Sequence, residues 1–216
     1  MKTDELITLL AAGEGPVQRH ALARRFGVAM VVGALGALGA LVLLAVIYGV
    51  RSDLVEVART PMFWAKLAFP ASLALLALRL SQHLARPGSK GGAAWMALSV
   101  PLLLVWLGAG LSLAGATPDA RADLILGRTW RTCALNIGLL CVPAFIAVFW
   151  ALRGLAPTRL RQAGAAGGLL AGATATLAYS LHCPEMEVPF WGVWYVLGML
   201  VPTAVGALLG PRLLRW

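Results

Sequence analysis

Charged side chains are scarce in this 216-residue sequence. Asp, Glu, Lys and Arg together make up 12% of it, where soluble domains carry about 25%. That is too little polar surface to cover a globule. Cysteine is equally sparse: there are three, Cys133, Cys141 and Cys183, and none forms a CxxC or CxxxC pair. The close spacing of a dithiol oxidoreductase is therefore missing. Only nine acidic residues occur, and none falls in the middle of a long apolar run, where a transporter is expected to place carboxylates.

Hydrophobic residues make up 60% of the chain, and the mean hydropathy is +0.81. A membrane-spanning helix needs about 20 mostly apolar residues, because the hydrocarbon layer is roughly 30 Å thick and each residue advances about 1.5 Å. Six runs qualify: Phe26 to Val50, Pro61 to Leu80, Trp95 to Ala116, Cys133 to Leu152, Gly164 to Cys183 and Phe190 to Pro211. The pattern predicts an all-α, polytopic membrane protein, a bundle of six transmembrane helices preceded by a short cytoplasmic N-terminal helix. Residues 1–25 form the N-terminal segment and 26–216 the membrane domain. The first run is too long and too far from the N-terminus for a cleaved signal peptide, whose apolar core is about 7 to 15 residues.

The net charge of +9 is read as the mark of cytoplasmic loops rather than of direct nucleic-acid binding. With the N-terminus inside, the cytoplasmic side collects Lys2, Arg19, Arg24, Arg25, Arg79, Arg86, Lys90, Arg153, Arg159, Arg161, Arg212 and Arg215, twelve in all. The opposite side collects five: Arg51, Arg59, Arg121, Arg128 and Arg131. This bias predicts an inner-membrane protein with both termini cytoplasmic.

Lipid tails offer helices no hydrophobic reason to associate, so close packing of small residues must serve. Gly164, Gly168, Gly172 and Thr176 in the fifth run, and Gly198, Pro202, Gly206 and Gly210 in the sixth, form two such stripes. They are expected to pair with each other; the same physics could instead support a homo-oligomer. Pro70, Pro101, Pro143 and Pro202 lie within runs, where kinks are expected. Lys66 is the single charge well inside a span. It is expected either to snorkel to the outer interface or to meet Glu185 or Glu187. Trp64, Trp95, Trp130, Trp150, Trp191, Trp194 and Trp216 lie near span ends and read as interfacial anchors.

Two places stand out chemically. Cys133 opens the fourth run and Cys183 closes the fifth at the same outer end, beside His182 and just before Glu185. A redox-sensitive pair, a soft metal site built from Cys133, Cys183, His182 and Glu185 for Zn²⁺ or a similar divalent ion, and a chance coincidence of depth are all compatible with that placement. Cys141, about 12 Å deeper, reads as an inert small hydrophobe. At the N-terminus, Thr3 is placed to cap a helix opened by Asp4 and Glu5, with Leu6, Ile7, Leu9 and Leu10 as its apolar side, ending at Gly13, Gly15 and Pro16. So short a helix needs a partner surface. It would lie on the membrane or be offered to a cytoplasmic protein, and Asp4 and Glu5 favour a basic protein partner.

The opening MKTDELITLLA, the six runs, RTPMFWAKL at Arg59 to Leu67 and LHCPE at Leu181 to Glu185 resemble the NrsF family of membrane-bound anti-sigma factors. The similarity covers essentially the whole chain. It implies six transmembrane helices, an extracytoplasmic-function sigma factor held at the inner membrane through the N-terminal segment, and release under stress such as heavy-metal exposure. It further implies that Cys133 and Cys183 match the family's two periplasmic cysteines.

The expected function is therefore a non-enzymatic transmembrane anti-sigma factor. It would sequester its sigma factor through Asp4, Glu5, Leu6, Leu9 and Leu10, and release it when Cys133 and Cys183 sense a metal or an oxidant. A membrane thiol oxidoreductase and a small metal transporter are the rivals, weakened by the missing cysteine pair and the missing intramembrane carboxylates respectively.

Overall fold

The computed structural model describes residues 2–12, 20–49, 51, 53–89 and 91–215. Among them the chain is helical, with no strand. A short helix α1 (Thr3–Ala12) is followed by α2 (Ala21–Tyr48), a single turn α3 (Leu54–Val57), α4 (Pro61–Leu84) and α5 (Gly92–Gly115). Then come α6 (Pro118–Leu126), α7 (Trp130–Arg153), α8 (Leu160–Ser180), a short α9 (Val188–Phe190), a wide π-helical turn at Trp191–Tyr195, and α10 (Val196–Leu213). Each predicted apolar run coincides with one long helix. Most extend a few residues past the run at one end or both, because a helix continues into the interface, and Gly49 and Gly88, both at positive φ, follow the ends of α2 and α4.

Five segments are long and apolar enough to cross a membrane: Ala21–Tyr48, Pro61–Leu84, Gly92–Gly115, Pro118–Arg153 and Val188–Leu213. The chain is a helical membrane protein. The sixth long helix, α8, falls short in hydropathy because it is built from Ala, Gly and Thr. Its position explains that composition. α8 packs against α10, α7, α4 and α2, most of its residues are buried, and a helix surrounded by helices needs small side chains more than apolar ones.

The two small-residue stripes do meet. A methyl group added to Gly164 would collide with the carbonyl of Gly206, and one added to Gly168 with the carbonyl of Pro202. In the other direction, a methyl on Gly206 would strike the carbonyl of Gly164. Gly198 departs from the expected stripe and faces Ile137 of α7. A second close contact was not anticipated: Gly33 and Gly36 of α2 rest on Ala144 and Pro143 of α7, so the proline that would kink α7 also fills the notch of α2.

The helix connections sort to two ends. At one end, Arg51 after α2 bonds the 181–187 loop, and Glu185 of that loop bonds Arg128 and Thr129 before α7. At the other, the N–H of Gly88 donates to Thr158 at 3.3 Å, and Arg25 lies against Gly154 and Trp150. Of the expected tryptophan anchors, Trp64 and Trp150 are exposed, but Trp191 is buried, with its indole N–H directed to the carbonyl of Glu185 at 3.3 Å. Trp191, the first residue of the π turn, is therefore a core residue. Trp216, Arg19, Lys90 and the helix-ending Gly13, Gly15 and Pro16 lie outside the described residues.

Candidate functional site

The first end of the bundle holds the chemistry. Cys133 sits one turn into α7, where its N–H bonds the carbonyl of Thr129 at 3.0 Å. Cys183 follows α8 directly, its N–H held by the carbonyl of Tyr179 at 2.9 Å in the turn that ends the helix. The two elements are packed together, and this brings the two side chains against each other as free thiols, both fully buried. Fifty residues of separation vanish because two antiparallel helices return the chain to one level.

Around the thiols lies a buried polar group that the sequence does not announce. The Tyr179 hydroxyl lies between Cys133 and Asn136. Tyr195, delivered by the π turn, is fully buried next to Ser180 and Cys183, and its hydroxyl makes no well-formed hydrogen bond among the described residues. Lys66 neither snorkels nor meets a glutamate. Its side chain is completely buried, donates to the carbonyl of Cys183 at 2.6 Å and stands 6.0 Å from the Tyr195 ring centroid. No carboxylate lies within salt-bridge distance of it among the described residues.

The same Cys183 carbonyl takes a second cation, with Arg51 Nη1 donating at 2.7 Å. Arg51 is in turn held by Asp53, through Nε to Oδ1 at 2.7 Å and Nη2 to Oδ2 at 3.1 Å. The guanidinium keeps the Asp53 carboxyl below its usual range. Two cations converging just beyond the C-terminus of α8 also suit the negative end of that helix.

Glu185 and His182 have other tasks. Glu185 Oε1 accepts the N–H groups of Arg128 at 2.7 Å and Thr129 at 3.1 Å and the Thr129 hydroxyl at 3.2 Å, closing the N-terminus of α7. His182 faces a cavity of about 280 Å³ lined by Arg51, Thr132, Asn136, Tyr179 and Pro184 among others; partial burial and then Arg51 push its imidazole below its ordinary range. Among the described residues, no group of three or more His, Cys, Asp or Glu side chains gathers as metal ligands. The two thiols come together, and the expected third and fourth donors do not. The cavity reaches to Tyr179 and Asn136, one side chain short of Cys133, and His182 and Pro184 flank Cys183 within its wall.

Arg51, Asn136, Tyr179, Ser180 and Tyr195 were missed from sequence. A signal was there: Asn136 lies one turn after Cys133, Tyr179 one turn before Cys183, and each interrupts an apolar run. At the N-terminus, Thr3 is the first helical residue rather than the cap, and the Lys2 N–H donates to Glu5 Oε2 at 3.1 Å. Every residue of α1 is exposed, including Leu6, Ile7, Leu9 and Leu10.

Comparison with known proteins bears on this arrangement as a whole. The family described as NrsF, negative regulator of sigma F, matches residues 10–216. Over 216 residues, covering all of both chains, the sequence is 48% identical to the probable anti-sigma-F factor NrsF of Azospira oryzae (strain ATCC BAA-33 / DSM 13638 / PS). The chain belongs to the NrsF family. A second NrsF protein, the anti-sigma-F factor of Caulobacter vibrioides (strain NA1000 / CB15N), is 39% identical over 218 residues, again covering all of both chains. No solved structure matches this NrsF-family chain. Neither NrsF relative is named as an enzyme or a transporter.

Proposed function

We propose that this protein is a transmembrane anti-sigma factor that holds an extracytoplasmic-function sigma factor at the bacterial inner membrane and releases it when Cys133 and Cys183 are oxidised. The observation that carries the anti-sigma reading is end-to-end similarity to two anti-sigma-F factors. Six crossings with both termini in the cytoplasm are supported by the twelve-to-five division of basic residues and by connections that sort to two ends. The docking element is residues 1–25, in which α1 offers Leu6, Leu9 and Leu10 beside Asp4 and Glu5 to a groove with a basic rim.

The sensing chemistry is disulfide formation, supported by two free thiols in contact. Two thiols lose two protons and two electrons as the S–S bond forms, and a hydroperoxide accepts them as its O–O bond breaks, leaving water and an alcohol. Among the described residues a soft divalent ion such as Zn²⁺ would find only the two sulfurs assembled, with Glu185 already engaged at α7. Joining Cys133 to Cys183 would change how α7 meets the 181–187 loop, and the signal needs only about 1 to 3 kcal/mol of difference in sigma affinity between the two arrangements.

Co-purification of the full chain from membranes, with and without a hydroperoxide, zinc or cadmium, tests both halves. A co-eluting sigma factor lost on peroxide treatment, with the Cys133 and Cys183 peptides cross-linked, is the expected result. Unchanged release from a Cys133→Ser, Cys183→Ser double variant would reject the sensing half, and a retained sigma factor after deletion of residues 1–15 would reject the docking half.

A further inference from the structure

Lys66 is a charged side chain buried completely inside the bundle. A fully buried ammonium costs several kcal/mol unless something nearby compensates its charge. Here the direct partners are the Cys183 carbonyl at 2.6 Å and the face of Tyr195 at 6.0 Å. Both are dipolar or quadrupolar, and neither carries a charge. Among the described residues no carboxylate reaches it, and Glu185, the acid whose field it feels, is committed to the N-terminus of α7. What surrounds Lys66 instead is a set of groups that can become anions, with Cys183 first among those acting on it and Cys133 behind it.

We propose that Lys66 is the counter-cation of the thiol pair, a positioning residue that makes Cys183 the attacking sulfur and leaves Cys133 as the sulfur that resolves. The asymmetry comes from the backbone. Lys66 and Arg51 both grip the main chain of Cys183 itself, at 2.6 and 2.7 Å, so their charge is centred on that residue. Cys133 lies on α7, and its carbonyl is not held by either cation among the described residues. Tyr179 of α8 and Tyr195 of the π turn face the pair, and the other titratable side chains of the loop, Glu185 and His182, lie outside it. The tyrosines are phenols, burial and Arg51 disfavour a proton on His182, and Glu185 is tied to α7. Among the described residues Lys66 and Arg51 are therefore the cations at the site, and of the two only Lys66 is free of a carboxylate. The ordering needs no change in the overall two-electron balance: the Cys183 thiolate attacks the peroxide oxygen, the O–O bond breaks and an alkoxide leaves to take a proton. Cys133 then attacks the resulting sulfenic sulfur and expels water as the S–S bond forms.

This assignment rests on the thiol-sensing reading but is tested apart from it. The full chain, purified in detergent, is treated with limiting iodoacetamide between pH 6 and 9, and the labelled peptides are quantified by mass spectrometry. Cys183 is expected to be alkylated before Cys133. In Lys66→Met the Cys183 rate at pH 7 is expected to fall about tenfold, with its pH profile moved upward, and in Lys66→Arg to recover, since the thiolate is the nucleophile and a neighbouring cation sets its population. Methionine fills the lysine volume without a buried charge, so the helix packing is expected to survive. Should Lys66→Met unfold, the labelling order in the unmodified chain and the behaviour of Lys66→Arg still decide. Cys133 labelled first, Cys183 unlabelled over a period that alkylates the denatured chain, or an unchanged Lys66→Met profile each overturns the assignment. The same preparations are assayed for co-purifying sigma factor: a retained sigma factor with an unchanged Lys66→Met profile sinks this inference alone. A shifted profile with no sigma factor sinks the anti-sigma reading alone.

Discussion

The carboxylate of Glu185 accepts the main-chain N–H of Thr129 at 3.1 Å across 56 positions of sequence. It thereby ties the loop that carries Cys183 to the first turn of the helix that carries Cys133. A helix N-terminus leaves N–H groups unsatisfied and carries partial positive charge, so an anion there both satisfies donors and gains from the dipole.

Glu185→Ala is therefore expected to lower stability by about 1 to 2 kcal/mol and to slow peroxide-driven joining of Cys133 and Cys183. Glu185→Gln, which can still accept the hydrogen bonds, should fall between. Thermal unfolding followed by tryptophan fluorescence, together with non-reducing peptide mapping, reads both effects. A Glu185→Ala protein as stable as the parent would show that the loop is held by Arg51 and Lys66 alone.

Gly168 of α8 faces the carbonyl of Pro202, while Gly39 of α2 has open space where a side chain would go. Gly168→Leu should destabilise by about 1 to 3 kcal/mol or more, since the backbones must separate, and Gly39→Leu should be nearly neutral. Detergent melting curves of the two variants should differ clearly; equal curves would mean that α8 and α10 are not closely packed.

Leu6, Leu9 and Leu10 are 42%, 65% and 64% exposed, so they support no core. The pair of changes Leu6→Asp and Leu10→Asp should leave stability within about 0.5 kcal/mol. It should weaken capture of the sigma factor by about tenfold or more, as loss of apolar anchors does. Pull-down from membranes measures capture directly, and undiminished capture would move the docking surface off α1.

Cys141 is buried in α7 away from the pair and lines an apolar groove with Val142, Phe145 and Pro202. Cys141→Ser should leave peroxide-driven sigma release unchanged. A lost response in that variant, with the fold intact by melting, would bring the third thiol into the chemistry.

Much of this arrangement was legible in the chain. Long apolar runs become helices because the bilayer interior offers no partner for an unpaired backbone group. The order of the runs was enough to bring Cys133 and Cys183 to one end. Small residues at every fourth position in α8 and α10 were enough to expect that pair, Gly198 excepted, because the spacing of four is a property of a single helix. The placement of Lys66 was not legible. Its depth could be counted from Thr60, but whether it points to lipid, to the interface or inward depends on the rotation of α4, which its neighbours set. Tyr195 was hidden for a related reason: a π-helical turn at Trp191–Tyr195 breaks the 3.6-residue period from which a facing side would be inferred.

What the sequence by itself determined is therefore the long helices, their order, and the end of the bundle at which the two thiols lie, since these depend on hydropathy and rise along one chain. Only the tertiary structure decided which of the residues at one level touch. Glycine-to-carbonyl contacts bring α8 onto α10, and packing against α7 and α4 then places Cys133, Lys66 and Tyr195 around Cys183. The same contacts leave Glu185 and His182 outside the thiol pair. The reason is physical: a hydrogen bond or a thiol contact is decided within an ångström, and that distance is a property of helix faces meeting.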